Sequence, residues 1–194
     1  GNAITLGVNK MSYELKLKTL TITCALSLSI LFPSLVQAQS DAWWLNATFE
    51  PIGNTINGVS ISQIDSNWSN AMVLTIEMMP EGSKEDFNHD EIDYNFSIEH
   101  DFNNDGQMDL AQVGVFRNTQ KESGIFLLIL TEGSNGYEVA FLSQSITEPS
   151  FSVIWINDEN KLNVNNCFDC GHHSTLEWKG DYYGWVEYEF DPYE

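Results

Sequence analysis

The chain is poor in positive charge. Eight Lys and Arg stand against 28 Asp and Glu in 194 residues, a formal charge of −20. Such a surface repels nucleic acid and anionic lipid and attracts cations or basic partners. Cysteine is scarce as well, at three residues, and only one apolar run is of any length, from Leu20 to Phe32. That run is too short for a comfortable membrane span, and nothing later approaches the length required. The chain also lacks a P-loop, a Gly-rich nucleotide turn, a His-Glu-x-x-His pair and a Ser/His/Asp ordering, so no familiar catalytic pattern is legible. Carboxylates are so numerous that no pair stands out as an acid/base couple, and no catalytic residue is assigned.

What the chain does contain begins with an address. From Met11 it runs through Lys16 and Lys18, then the apolar stretch, then Val36-Gln37-Ala38. This is the layout of a secretory signal peptide cleaved after Ala38. Residues 1–38 are therefore expected to be leader and signal peptide, and 39–194 a single exported β-rich domain, periplasmic or extracellular. Setting Glu14 aside, 27 acidic residues remain against Lys84, Arg117, Lys121, Lys161 and Lys179, a formal charge of −22. A basic protein is the partner that this charge anticipates; nucleic acid and a membrane span in the mature chain are not expected.

Period-two patterning dominates the mature chain. Tyr94, Phe96 and Ile98 alternate with polar residues, and Ile125 to Leu130 form a continuous apolar run, as in a central strand buried on both faces. Gly133-Ser134-Asn135-Gly136 marks a hairpin into Tyr137 to Leu142. Phe151, Val153 and Trp155 alternate, Asp158-Glu159-Asn160 turns, and Leu162 and Val164 return. Leu176 and Trp178 precede a Gly180-Asp181 turn, after which Tyr182, Val186, Tyr188 and Phe190 share the apolar face. Trp68, Met72, Ile76 and Met79, with Ser66 as cap and Pro80 as stop, fall at helical spacing, although Val73 to Ile76 also read as strand. The expectation is all-β: antiparallel sheets, as a sandwich or few-bladed propeller-like array, with one short N-terminal helix.

Between two of these strands lies Asp101-Phe102-Asn103-Asn104-Asp105-Gly106-Gln107-Met108-Asp109. Side-chain oxygens fall at Asp101, Asn103, Asp105 and Asp109, Gly106 supplies a sharp turn, and Gln107 offers its backbone carbonyl. A hard cation needs this convergence of oxygens, and calcium suits it better than magnesium, which keeps more of its water. Position twelve, where an EF-hand has Glu, is Gln112, and both flanks read as strands. Strand, D-x-N-x-D-G-x-x-D, strand resembles the calcium loop of FG-GAP and VCBS-type repeats. The resemblance covers about residues 96–115 and implies an ion site in a β context rather than a whole propeller. It implies Asp101, Asn103, Asp105 and Asp109 as side-chain ligands and Gln107 as a backbone ligand. A fainter echo, Asp86-Phe87-Asn88-His89-Asp90 with Asp93, lacks the glycine and reads as a solvated loop or a second, weaker site.

Cys167-Phe168-Asp169-Cys170-Gly171-His172-His173 is the remaining cluster. A disulfide Cys167–Cys170 pinning a turn is the favoured pairing in an oxidising compartment. Zinc on Cys167, Cys170 and His172 is the alternative, opposed by the adjacency of His172 and His173, whose side chains point apart. The functional expectation is a non-catalytic, exported, calcium-binding interaction protein, inhibitor- or immunity-like. The rivals are a calcium-dependent hydrolase, a thiol oxidoreductase at the C-x-x-C, and a purely structural calcium module.

Overall fold

The structure is a computed structural model and describes residues 42–89 and 92–186. The expected signal peptide and the last apolar positions, Tyr188 and Phe190, lie outside the described residues. In chain order the strands are β1 (Thr55–Ile56), β2 (Val59–Ser60), then helix α1 (Ile61–Ile64), then β3 (Trp68–Val73), β4 (Asn88–His89), β5 (Ile92–Asp93) and β6 (Ser97–His100). They continue with β7 (Asp109–Asn118), β8 (Ser123–Gly133), β9 (Gly136–Ile146), β10 (Val153–Ile156), β11 (Leu162–Asn165), β12 (Ser174–Trp178) and β13 (Tyr183–Trp185). All-β is the observed class, and every named strand pair is antiparallel.

Strand β7 is the axis of the five-stranded sheet. β8 pairs along almost its full length, from Asp109↔Thr131 to Arg117↔Ser123. The opposite edge is shared: β6 takes residues Asp109 to Gln112 and β3 takes Gly114 to Asn118. Val113 sits at the junction, donating its N–H to the Phe96 carbonyl and accepting from Leu74 N–H. β9 closes the far side through a hairpin at Gly133↔Gly136, with Gly136 at φ 112°, a conformation that glycine adopts without strain. A four-stranded sheet, β10-β11-β12-β13, forms the second layer.

Alternation along β7 and β8 builds two cores. Ala111, Val113, Val115, Leu127 and Ile129 face the four-stranded sheet, meeting Val153, Ile154, Leu162 and Leu176. Leu110, Phe116, Phe126, Leu128 and Leu130 face the other way and are covered by Ile56, Val59, Ile61, Ile64 and Trp68. The unbroken apolar run in β8 is thus a strand buried on both faces. The two large sheets stack as a sandwich around the first core. Aromatics close its end: Trp43 and Phe87 each pack edge-on against Phe151 and Phe168, which lie tilted against each other.

Two details differ from the sequence-based expectation. Residues Trp68–Val73, expected to start a helix, form β3, and only Ile76–Met78 make a single 3-10 turn. β3 pairs with β7 from Trp68 to Val73, with a register slip between Trp68 and Asn70. Trp68 packs into the second core while Met72, Ile76 and Met79 belong with the first, so Trp68 and Met72 do not share the one face that a helix would give them. The short helix is α1 instead, where Ser60 N–H donates to Gln63 Oε1 and Ile61 and Ile64 are buried. In the last hairpin the phase is shifted by one: Tyr183 is buried at 8% exposure, and Tyr182 is 60% exposed. Gly180-Asp181 forms a two-residue turn closed by Lys179 N–H donating to the Tyr182 carbonyl, so Trp178 faces Tyr183 across the pair.

Candidate metal centre

The loop 101–108 connects β6 to β7, with His100 and Asp109 directly opposed at its base. Phe102 anchors it, buried and edge-on to the His100 ring at 5.1 Å. Asn104 (φ 59°) and Gly106 (φ 87°) both take left-handed backbone, and the position of a Cβ on Gly106 would meet nothing, so glycine serves conformation there, not space. The oxygens turn inward onto the loop's own N–H groups. Asp105 N–H donates to both Asp101 Oδ1 (3.1 Å) and Asn103 Oδ1 (2.9 Å), Gly106 N–H to Asp101 Oδ2 (2.9 Å), and Gln107 N–H to Asp105 Oδ1 (2.8 Å). Asn103 Nδ2 joins Asp105 Oδ2 at 3.0 Å. The structure therefore brings Asp101, Asn103 and Asp105 together, with Gln107 beside them in the turn. A carboxylate has about four lone-pair directions, so these bonds leave acceptor capacity free.

Asp109 is different. It is 1% exposed, and its Oδ2 accepts from Phe102 N–H (3.2 Å) and from the Tyr183 hydroxyl (3.1 Å). Its Oδ1 has no partner; among the described residues only Trp44 Nε1 shares that condition as a buried side-chain polar atom. A buried carboxylate with one oxygen unsatisfied is costly unless a charge or donor comes to it. Three carboxylates act on the hydroxyl that bonds Asp109. The Tyr183 phenol is pushed well above its ordinary range, first by burial, then by the charge and hydrogen bond of Asp109, then by the charges of Asp105 and Asp101. Among the described residues no three His, Cys, Asp or Glu side chains form a metal-holding group; Asn103 Oδ1 and the Gln107 carbonyl belong to the donor set of the loop. That donor set, all oxygen, fits a hard cation such as calcium.

The alternation in the sequence predicts Tyr182, not Tyr183, on the inner face. The signal for Tyr183 was present: with Trp178 facing inward and a two-residue turn at Gly180-Asp181, the residue opposite Trp178 must face inward too.

The other two clusters are organised for packing. In the echo loop, Asp86 accepts the Trp43 indole N–H at 2.7 Å and Phe87 is buried among aromatics; Asp90 lies outside the described residues. Cys167 and Cys170 stand at disulfide distance, with Cα atoms 5.9 Å apart. His172 and His173 are exposed, and the His173 ring lies edge-on to Trp155 at 5.1 Å. Phe168, between the cysteines, is buried and holds this turn against Trp44 and Tyr94, and Tyr94 Oη donates to its carbonyl at 3.2 Å.

Among the described residues three of the five basic side chains are ion-paired within the chain: Arg117 with Glu50, Lys161 with Glu159 and Glu177, Lys179 with Glu177. Among the described residues no helix is long and apolar enough to cross a membrane. No protein-family model, no curated protein and no solved structure matches the chain.

Proposed function

We propose that this chain is an exported, acidic, calcium-binding β-domain that acts by binding a basic protein rather than by catalysis. The observation that carries the ion is the buried, unpartnered Asp109 Oδ1 at the base of the oxygen-lined loop. A cation held by Asp101, Asn103, Asp105, Asp109 and the Gln107 carbonyl would satisfy that oxygen and relieve the mutual repulsion of three carboxylates. The D-x-N-x-D-G-x-x-D spacing and its likeness to FG-GAP and VCBS-type loops support calcium over other ions. The basic partner follows from the charge, −20 over the chain with few free cations to offset it. An export signal before Ala38 would place the protein where calcium reaches the millimolar range that weak extracellular sites are matched to.

Melting the full chain in chelator, magnesium and calcium tests the site. A calcium-specific rise is expected, about 5–10 °C when calcium is a hundredfold above its dissociation constant. Asp109→Asn sharpens the test, because it keeps an acceptor for Phe102 N–H and Tyr183 but removes the buried charge. It should leave the melting temperature in chelator unchanged or higher and abolish the calcium rise. A loop that is only a turn gives no calcium rise in either chain, and that result overturns the proposal.

A further inference from the structure

Strand β9 is an edge, bonded on one side to β8. Thr147 N–H donates to the Ser123 carbonyl, which fixes the phase of the ladder. Antiparallel alternation then turns the N–H and C=O of Leu142, Gln144 and Ile146 away from β8. No backbone hydrogen bond covers them among the described residues. The bulge where the register passes from Ile129↔Phe141 to Leu130↔Val139 interrupts the edge at Ala140, so the regular stretch is Phe141 to Ile146. Natural edges are blunted with Lys, Pro or inward charge. This stretch has none of these, and its end, Ile146, is 60% exposed.

The two faces beside this edge differ in chemistry. Over Ser143 and Ser145, on the side of the four-stranded sheet, lies a cleft of about 320 Å³ lined also by Asn165, His172, His173 and Trp185. On the opposite face, beside Gln144 and Ile146, a second cleft of about 440 Å³ is walled by Trp68 and by the carboxylates of Asp65 and Glu122. Side chains of a strand added to β9 alternate between these clefts. One set would meet carboxylates and the other would meet Trp185 and small polar groups. A second copy of the chain would bring another −20 charge to the same edge, whereas a basic segment is drawn to it.

We infer that the edge of β9 from Phe141 to Ile146 receives an extended segment of a basic partner protein as an added strand. Lys or Arg at alternate positions lies over Asp65 and Glu122, and apolar side chains lie beside Trp185. Backbone hydrogen bonds supply the pairing, and the two clefts supply the side-chain preference. The inference rests on the basic-partner reading above and is independent of the calcium loop.

The test uses the full chain and a fluorescent octapeptide alternating lysine and valine, followed by anisotropy. Its twin has every second backbone nitrogen methylated, with the same charge but one hydrogen-bonding edge lost. The parent is expected to bind about tenfold or more tightly than the twin. Ile146→Pro, which removes one outward N–H and leaves the β8 ladder intact, should weaken the parent peptide similarly, and Ile146→Ala should not. Because the twin alters only the peptide, the test stands even where a protein variant fails to fold. Equal binding of parent and twin means attraction by charge alone; it overturns strand addition and leaves the basic-partner reading standing. Equal binding of a glutamate–valine peptide, or no binding of the parent, overturns both. A dimer in sedimentation that Ile146→Pro dissolves assigns the edge to a second copy and overturns the inference.

Discussion

Two loops of this protein open with the same three residues, Asp-Phe-Asn, and fold to opposite ends. In both the Phe is buried: Phe87 in the aromatic end of the sandwich core and Phe102 beneath its own loop. In the first, Asp86 spends its carboxylate on the Trp43 indole, so the charge is tied to packing. In the second, Asp101 accepts from its own loop, Gly106 permits the tight return, and Asp109 arrives from β7 with an unpartnered oxygen. The opening residues therefore do not make a site. What sets the second loop apart is its glycine, which permits the tight return, and its final carboxylate, which is buried with one oxygen unpartnered.

Four measurements would break or sharpen this contrast. The largest effect is expected from the anchors. Phe87→Ala should cost about 3–5 kcal/mol in denaturant unfolding, and Phe102→Ala less, because Phe87 packs against Phe96, Phe151 and Phe168 and Phe102 against a single ring, His100. Equal losses would mean that both loops are held in the same way. Next comes the ion. Asp101→Ala or Asp105→Ala should abolish a calcium stabilisation of about 2.7 kcal/mol at a hundredfold excess over the dissociation constant, and Asp86→Ala should leave it whole. A calcium rise that Asp86→Ala removes would move the site to the other loop.

Asp86→Ala has its own smaller cost, about 1.5 kcal/mol in any buffer, from the lost charged hydrogen bond to the half-buried Trp43. Trp43 fluorescence should shift with it. Smallest at neutral pH is Tyr183→Phe, about 1 kcal/mol. Its pH dependence is more telling. Burial and the loop carboxylates hold the folded phenol above its ordinary 10.0, so the protonated form favours folding. That stabilisation is complete below pH 10 and is lost as the pH rises beyond it, because the unfolded chain ionises first. Tyr183→Phe should flatten the alkaline fall in stability. Bound calcium, by neutralising the loop, should also bring the ionisation of Tyr183, followed by its ultraviolet absorbance, to lower pH.

Much of this was legible in the sequence, and the failures have physical causes. The double-sided burial of Ile125 to Leu130 follows from an unbroken apolar run, since a strand with one wet face must alternate. The hairpins at Gly133–Gly136 and Asp158–Asn160 follow from residues that accept left-handed backbone. The helix expected from Ser66 is absent because pairing with β7 holds the segment extended, and Trp68 and Met72 then pack into different cores. Even-numbered alternation puts Tyr182 on the apolar face, but the two-residue turn sets Tyr183 opposite Trp178 and reverses that phase.

Composition, charge, the strand periods and the spacing of oxygens around Gly106 are properties of neighbouring residues, and the sequence by itself determined them: an acidic, all-β chain with one tight loop rich in side-chain oxygens. That Asp109 would be buried under its loop, that Tyr183 would reach it from 74 residues away, and that β9 would be left as an uncovered edge were decided only in the tertiary structure. Each of these depends on which strands pair and which sheet faces meet. Such long-range choices come from the summed burial of two cores, and no local stretch of sequence carries them.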